Sequence, residues 1–99
     1  MSYITNNDLD TEVNITSLCV NDFYTFESDG YLAIQTDINV GDEIIARVYG
    51  SASDNYFRMF AYCNTQFKIQ DSTVFVRKGM RVKMEYINGT AYIRFNPLK

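Results

Sequence analysis

The sequence predicts an all-β protein, folded as a single antiparallel β-sandwich of about eight strands. Strand-forming side chains dominate the composition, with seven Val, nine Ile, eight Thr, eight Tyr and seven Phe among 99 residues, and such residues pack well on a pleated surface. Short runs of alternating apolar and polar residues recur along the chain, separated by turn pairs such as Asp29-Gly30, Lys78-Gly79 and Asn88-Gly89. Short strands at this regular spacing are typical of a sandwich or a small barrel.

The chain divides into a short polar start and one folded domain. Residues 1–12 are rich in Asn and Asp and carry no strand pattern, so we expect them to form an arm that precedes the sandwich of residues 13–99. The runs that predict strands are 13–20, 23–26, 31–36, 43–49, 56–62, 67–70, 73–77, 80–87 and 90–95.

Period-2 alternation predicts which side chains of these strands face the core. The residues expected to point inward are Leu32, Ile34, Ile44, Ala46, Val48, Phe57, Met59, Ala61, Val74 and Val76.

The last two runs predict a C-terminal β-hairpin. They flank Asn88-Gly89, the preferred pair for a two-residue type I′ turn. In that register one face would be an apolar ladder against the core and the other would carry polar and charged residues. The expected inward pairs are Tyr86–Ala91, Met84–Ile93 and Val82–Phe95, and the expected outward pairs are Glu85–Tyr92 and Lys83–Arg94.

Charge is divided unevenly along the chain. The net charge is −3, yet the first 54 residues hold ten acids and one base, Arg47, whereas the remainder holds eight bases and two acids. These charges either attract one another across the fold or sort into an acidic and a basic surface, which would suit contacts between subunits. Dispersal of the charges over the folded surface is an equally open alternative.

Composition argues against an enzyme. Histidine is absent, which removes the usual general base and every Ser-His or Cys-His pair. The acidic groups lack the spacing of an EF-hand, and no glycine-rich phosphate loop occurs. We therefore expect no catalytic residue, no metal and no cofactor. Cys19 and Cys63 are expected to be reduced thiols, although the sequence leaves their pairing open.

The strand at 56–62 is the first candidate binding surface. With Phe57, Met59 and Ala61 turned inward, its other face carries Tyr56, Arg58, Phe60 and Tyr62. Aromatic residues and arginine are favoured in protein interfaces, and aromatics beside a base can also stack the bases of single-stranded nucleic acid. A central strand covered on both faces by its own domain would show the same pattern.

A basic strip is the second candidate. In the predicted hairpin, Arg81, Lys83 and Arg94 share one face with Tyr92, and Arg77 and Lys78 lie in the preceding turn. Such a strip could bind an anion or an acidic neighbouring subunit. The structural alternative is a solvated face whose charges prevent edge-to-edge pairing of strands.

Three segments resemble the β-sandwich head modules of bacteriophage tail-fibre and receptor-binding proteins. They are residues 29–34, DGYLAI, residues 74–82, VFVRKGMRV, and residues 91–98, AYIRFNPL. A similar order of strands is seen in the trimeric jelly rolls of the tumour-necrosis-factor and complement type.

The resemblance implies a jelly-roll-like fold and a non-enzymatic structural or receptor-binding role. It also implies a homo-oligomer, with a trimer as the expected count, that contacts a host-surface glycan or another virion protein, in the virion or the host cytoplasm. No stretch approaches the roughly 20 apolar residues of a membrane span and the start does not read as a secretion signal, so neither a membrane nor secretion is expected.

The alternative function is that of a small acidic regulator. It would inhibit a host protein or bind single-stranded nucleic acid through Arg58, Lys83 and Arg94. The acidic overall balance makes nucleic acid the less favoured of these partners.

Overall fold

A computed structural model describes residues 8–64 and 69–99, which form nine strands and one turn of 3-10 helix at Thr16–Leu18. In chain order the strands are β1 (Val13–Asn14), β2 (Tyr24–Thr25), β3 (Gly30–Thr36), β4 (Glu43–Tyr49), β5 (Tyr56–Cys63), β6 (Ile69–Gln70), β7 (Ser72–Val76), β8 (Arg81–Asn88) and β9 (Ala91–Pro97). Part of the predicted strand 67–70 lies outside the described residues.

The strands form two antiparallel sheets. One has four strands in the order β1-β9-β3-β7, and the other has five in the order β2-β8-β4-β5-β6. The pairing is nested, since β1 pairs with β9, β2 with β8, β3 with β7, and β4 with β5. Folding such a nested ribbon over brings β9 beside β3 and β8 beside β4. This is the topology of a jelly roll, and it confirms the predicted all-β sandwich.

The predicted C-terminal hairpin is wrong. Strands β8 and β9 follow one another but belong to different sheets, because β9 is already paired on both edges by β1 and β3, and β8 by β2 and β4. Gly89 does adopt the positive φ expected of a turn, at 71°. The Asn88-Gly89 connection therefore carries the chain from one sheet to the other rather than back along the same sheet.

A β-bulge in β8 changes which of its side chains face the core. Pairing with β4 runs from Ala46–Met84 to Ile45–Tyr86, which leaves Glu85 as an extra residue. An extra residue reverses the alternation beyond it. Tyr86, predicted to face the core, is consequently 46% exposed on the outer side.

The first predicted strand, 13–20, is mostly not a strand. After β1 the chain turns through the 3-10 helix and crosses between the two sheets. The amide of Ile15 donates to the carbonyl of Ile93 in β9, and the carbonyl of Cys19 accepts from the amide of Met84 in β8. Ile15 and Cys19 are fully buried, so this segment closes one side of the core.

The core lies between the sheets and consists mainly of the residues that alternation predicted. Leu32, Ile34, Ile44, Ala46, Val48, Met59, Ala61 and Val76 are buried, joined by Phe26, Val82, Met84, Ala91, Ile93 and Phe95. Val74 packs against them and is partly buried.

Phe57 departs from the predicted pattern. It pairs with Val48 on the inner side of its sheet, but it lies at the open end of the sandwich and is 43% exposed.

The described part of the predicted arm lies along the end of β9. Leu9 forms an isolated antiparallel bridge with Leu98, and the amide of Asp10 donates to the carbonyl of Pro97 at 2.7 Å. The rest of the arm, residues 1–7, lies outside the described residues.

Candidate functional site

The outer face of the five-stranded sheet carries a group of large aromatic and basic side chains, which we call the aromatic–arginine face. It is built where β5, β4 and β8 lie side by side, with Phe23 folded over it from the segment before β2. Its members are Phe23, Ile45, Arg47, Tyr49, Tyr56, Arg58, Phe60, Tyr62, Arg81, Lys83, Glu85 and Tyr86.

One row of this face is apolar and open to solvent. Register places Phe60 of β5, Ile45 of β4 and Tyr86 of β8 side by side. Phe60 is 48% exposed and Tyr86 46% exposed, and Tyr62 on the same face of β5 is 41% exposed. Exposed apolar groups that adjoin one another, with polar groups around them, mark an interaction surface more often than isolated ones do.

The next row is a charged cluster around Glu85, the extra residue of the bulge in β8. Glu85 Oε1 accepts from Nε of Arg47 at 2.5 Å and from Nε of Arg58 at 2.8 Å. The two guanidinium groups, Arg58 foremost, hold the pKa of the Glu85 carboxyl below its ordinary value. Conversely, Tyr49 and Glu85 raise the pKa of Arg47. One carboxylate thus orients two arginines that would otherwise repel each other across β4 and β5.

The third row packs aromatic rings beneath cations. Tyr49 contacts Phe23 edge-on, with ring centroids 4.9 Å apart, and lies 5.1 Å from Tyr56. The guanidinium carbon of Arg81 lies 4.7 Å from the centre of the Phe23 ring, and Nζ of Lys83 lies 5.3 Å from it. Cations over aromatic rings are attracted by the ring quadrupole, so these contacts hold Arg81 and Lys83 against Phe23.

Arg81 is further fixed by the loop before β5. Its Nη2 donates to the carbonyl of Ser53 at 2.8 Å and lies 3.7 Å from Asp54 Oδ1. This ion pair joins the acidic first part of the chain to the basic second part.

A recess opens on this face. It has a volume of about 270 Å³ and is lined by Phe23, Arg47, Tyr49, Lys83, Met84 and Glu85. Pockets for drug-sized ligands usually range from about 300 to 1,000 Å³. This recess is small for a ligand pocket, which favours contact with a partner surface over capture of a small molecule.

The predicted basic strip is divided between the two faces of the molecule. Arg81 and Lys83 belong to the aromatic–arginine face, whereas Tyr92 and Arg94 lie on β9 in the other sheet. There the guanidinium of Arg94 stacks 4.9 Å from the centre of the Tyr92 ring and lies 3.6 Å from Glu12. The predicted pairings of Lys83 with Arg94 and of Glu85 with Tyr92 are wrong, because the hairpin that required them does not form.

The other predicted group, on the outward face of the strand at 56–62, does come together. Tyr56, Arg58, Phe60 and Tyr62 are all exposed on β5, beside Arg81 and Lys83 of β8 on the same outer face. Sequence reasoning missed Phe23, Arg47, Glu85 and Tyr86. The alternation of β4 could have indicated Arg47, and alternation had predicted that Glu85 faces outward, but only the bulge directs Tyr86 outward.

The cysteines are not part of this site. Cys19 and Cys63 are buried and free, and burial raises the pKa of the Cys19 thiol to about 11. A thiol with so high a pKa is protonated at neutral pH and is a poor nucleophile.

Within residues 8–64 and 69–99, no three His, Cys, Asp or Glu side chains come together in a way that could hold a metal ion. Among the residues that the structure describes, no helix has the length and apolar character that a membrane span requires.

Comparisons of the chain with protein-family models, with curated proteins and with solved structures found no match.

Proposed function

We propose that this protein is a non-enzymatic binding module that contacts another protein through the aromatic–arginine face. The observation that carries the proposal is the exposure of four aromatic side chains around a cluster of bases. Tyr56, Phe60, Tyr62 and Tyr86 are 41–48% exposed on one sheet face. Aromatic residues and arginine are the residues most enriched at the energetic centres of protein interfaces.

The arginines of this face are already held in place before any partner arrives. Glu85 binds both Arg47 and Arg58, and Arg58 Nη2 also approaches the Tyr56 hydroxyl at 3.4 Å. Ordering a long side chain on binding costs about 0.5–1.5 kcal/mol. Because part of that ordering exists in the free chain, a partner would bind this face at a lower entropic cost.

The biological setting of the proposal is a virion or phage-derived assembly. The jelly-roll topology agrees with the fold that the resemblance to phage head modules implies. We propose a structural or receptor-binding-type module that oligomerises and works in the virion or the host cytoplasm. A protein of the virion or of the host surface is the preferred partner, since the recess on the face is small, and a host-surface glycan is the other outcome.

The alternative of a regulator that binds single-stranded nucleic acid has less support. Its bases do not form one track, since Arg58 and Lys83 belong to the five-stranded sheet and Arg94 to the four-stranded sheet. Glu85 also neutralises part of the charge of Arg47 and Arg58. We therefore propose no nucleic-acid partner for this face.

A site-specific crosslinking experiment tests the proposal. A photo-crosslinking amino acid is introduced in place of Phe60 on the aromatic–arginine face and, as a matched control, in place of Tyr92 on the opposite sheet. The chains are irradiated in the cells or particles that contain the protein. We expect one recurring protein adduct from position 60, absent from position 92 and abolished when Tyr62→Ala and Tyr86→Ala are added.

A parallel measurement identifies the glycan outcome. Wild-type protein and the Tyr62→Ala variant are applied to an array of purified bacterial surface polysaccharides. Binding that Tyr62→Ala abolishes and Tyr92→Ala preserves would assign a glycan to the face in place of a protein. Equal adducts at positions 60 and 92, with no binding to the array, would contradict the proposal.

A further inference from the structure

The two sheets have four edge strands, and one of them differs from the rest. Among the described residues, β1, β2 and β6 are edge strands of two residues each, whereas the fourth, β7, has five. Short edge strands offer too few free backbone groups to attract another strand. The outer edges of β5 and β8 are also unpaired over most of their length, since β6 covers two residues of β5 and β2 covers two of β8, but both strands carry charged side chains. The edge of β7 on the side away from β3 has no charged side chain of its own.

The sequence of β7 contains none of the residues that usually prevent an edge strand from pairing with another strand. Its sequence is Ser-Thr-Val-Phe-Val, without a charge or a proline, and its pairing with β3 runs without a register shift from Ser72–Ile34 to Val76–Gly30. Charged residues, proline and bulges are the usual devices that prevent edge pairing. β-branched and aromatic residues such as Thr73 and Phe75 favour it.

Charges directly flank β7, and they are of opposite sign. Asp71 precedes the strand and Arg77 follows it, and both side chains are exposed. Continuing the alternation of the strand, these two residues lie in the same outward row as Thr73 and Phe75. Within the described residues neither Asp71 nor Arg77 forms an ion pair.

If β7 pairs antiparallel with β7 of a second copy about a twofold axis, these charges are complementary. Centred on Val74, the register sets Asp71 of each copy opposite Arg77 of the other, and Thr73 opposite Phe75. Opposite charges facing each other on a ladder stabilise it, and like charges destabilise it. A register shifted by two residues would lose both ion pairs, and a parallel pairing would set like charges side by side.

We propose that β7 is a self-association edge, on which a second copy of the chain adds its own β7 in the antiparallel register centred on Val74. The two four-stranded sheets then form one continuous sheet of eight strands, and a contact of this kind closes as a dimer. This contact uses a different surface from the aromatic–arginine face. It therefore stands or falls independently of the proposed partner protein.

Charge reversal at the two ends of β7 tests the register. Asp71→Arg places two arginines opposite each other at both ends of the pairing, and Arg77→Asp does the same with two acids. We expect each single variant to dimerise about tenfold more weakly than the wild type or worse, which is a loss of about 1.4 kcal/mol. The measurement is the solution mass by light scattering over a range of protein concentrations.

Mixing the variants provides the decisive control. In an equimolar mixture of the two single variants, the Asp71→Arg chain meets the Arg77→Asp chain with opposite charges at both ends, so a heterodimer should form. The double variant Asp71→Arg/Arg77→Asp should dimerise within about twofold of the wild type, because both ion pairs are restored with reversed sign. A single cooperative urea transition for each variant would show that every chain is folded.

Three results would overturn the proposal. One is a wild-type chain that stays monomeric at millimolar concentration. A second is a dimer whose stability ignores both charge reversals. The third is a trimer, which a twofold edge contact cannot close. Crosslinking at position 60 reports the aromatic–arginine face separately, so loss of one contact leaves the other measurable.

Discussion

At the scale of single residues, the connection between β8 and β9 uses the turn residues Asn88 and Gly89 to join the two sheets. Gly89 has a φ of 71° and lies against the buried carboxylate of Asp42. Nδ2 of Asn88 donates to the carbonyl of Gly41 at 2.9 Å, and the amide of Asp37 donates to the carbonyl of Thr90 at 3.0 Å. The Asn-Gly pair is thus bound to the connection between β3 and β4, which also crosses between the sheets.

Two glycines with similar backbone angles give a matched prediction. Gly41→Ala adds a Cβ at a φ of 94° with no atom within 4 Å, so it should cost about 1–2 kcal/mol, the penalty of a left-handed conformation. Gly89→Ala meets the same penalty and in addition a clash with the Asp42 carboxylate, so it should cost more. Urea unfolding of both variants measures the difference. Equal losses would show that Asp42 moves aside freely.

At the scale of elements, the bulge in β8 determines which aromatic side chains reach the binding surface. Without the extra residue, alternation would direct Tyr86 inward and Glu85 outward in a regular ladder. The bulge keeps Glu85 on the outer face and brings Tyr86 to the same side, next to Ile45. The exposed row that Tyr86 forms with Ile45 and Phe60 therefore depends on this one irregularity.

The variant Glu85→Gln tests the charged cluster through its pH dependence. The pKa of Glu85 in the folded chain lies below its ordinary value of 4.5. Its ion pairs therefore stabilise the fold above that pH, and the contribution is lost as the pH falls through the folded-state pKa. We expect the variant to be less stable than the wild type at neutral pH and the gap to narrow in acid. Urea unfolding from about pH 7 to about pH 2 measures it, and a constant gap would contradict the role of the cluster.

At the scale of the whole molecule, most strand pairings join distant parts of the chain. β1 pairs with β9, β2 with β8, and β3 with β9, so the two ends must meet before either sheet is complete. The chain must close long loops before the contacts that stabilise them can form, and this requirement slows folding.

The nested pairing predicts slow, cooperative folding. We expect refolding in the range of roughly milliseconds to seconds, as for other all-β domains of high contact order, and one unfolding transition by fluorescence and circular dichroism. Stopped-flow dilution from urea measures the rate. Complete refolding within microseconds, or separate transitions for the two probes, would contradict the view of the sandwich as one folding unit.

Strand positions and inward faces could be read from the sequence because alternation and turn residues are local signals. The strand at Glu43–Tyr49 has the predicted bounds, and the predicted core residues of β3 and β4 are buried. The predicted group on β5, from Tyr56 to Tyr62, is exposed on one face as alternation indicated. Each of these features depends on neighbours within a few residues.

The assignment of strands to sheets was beyond local signals. Asn88-Gly89 correctly predicted a positive φ, but a hairpin and a crossing between sheets both use such a residue. A jelly roll commits both edges of β9 to β1 and β3, so the predicted sandwich topology and the predicted hairpin could not both hold. Arg94 and Tyr92 were misplaced for that reason.

By itself the sequence determined an all-β chain, the positions of most strands and most of the side chains that are buried. These features follow from the two-residue period of a strand and from the hydrophobic effect. The tertiary structure alone decided which strands are neighbours, where β8 bulges, and therefore which aromatic and charged groups share the aromatic–arginine face. Those outcomes depend on competition among pairings far apart in the chain, which no local pattern encodes.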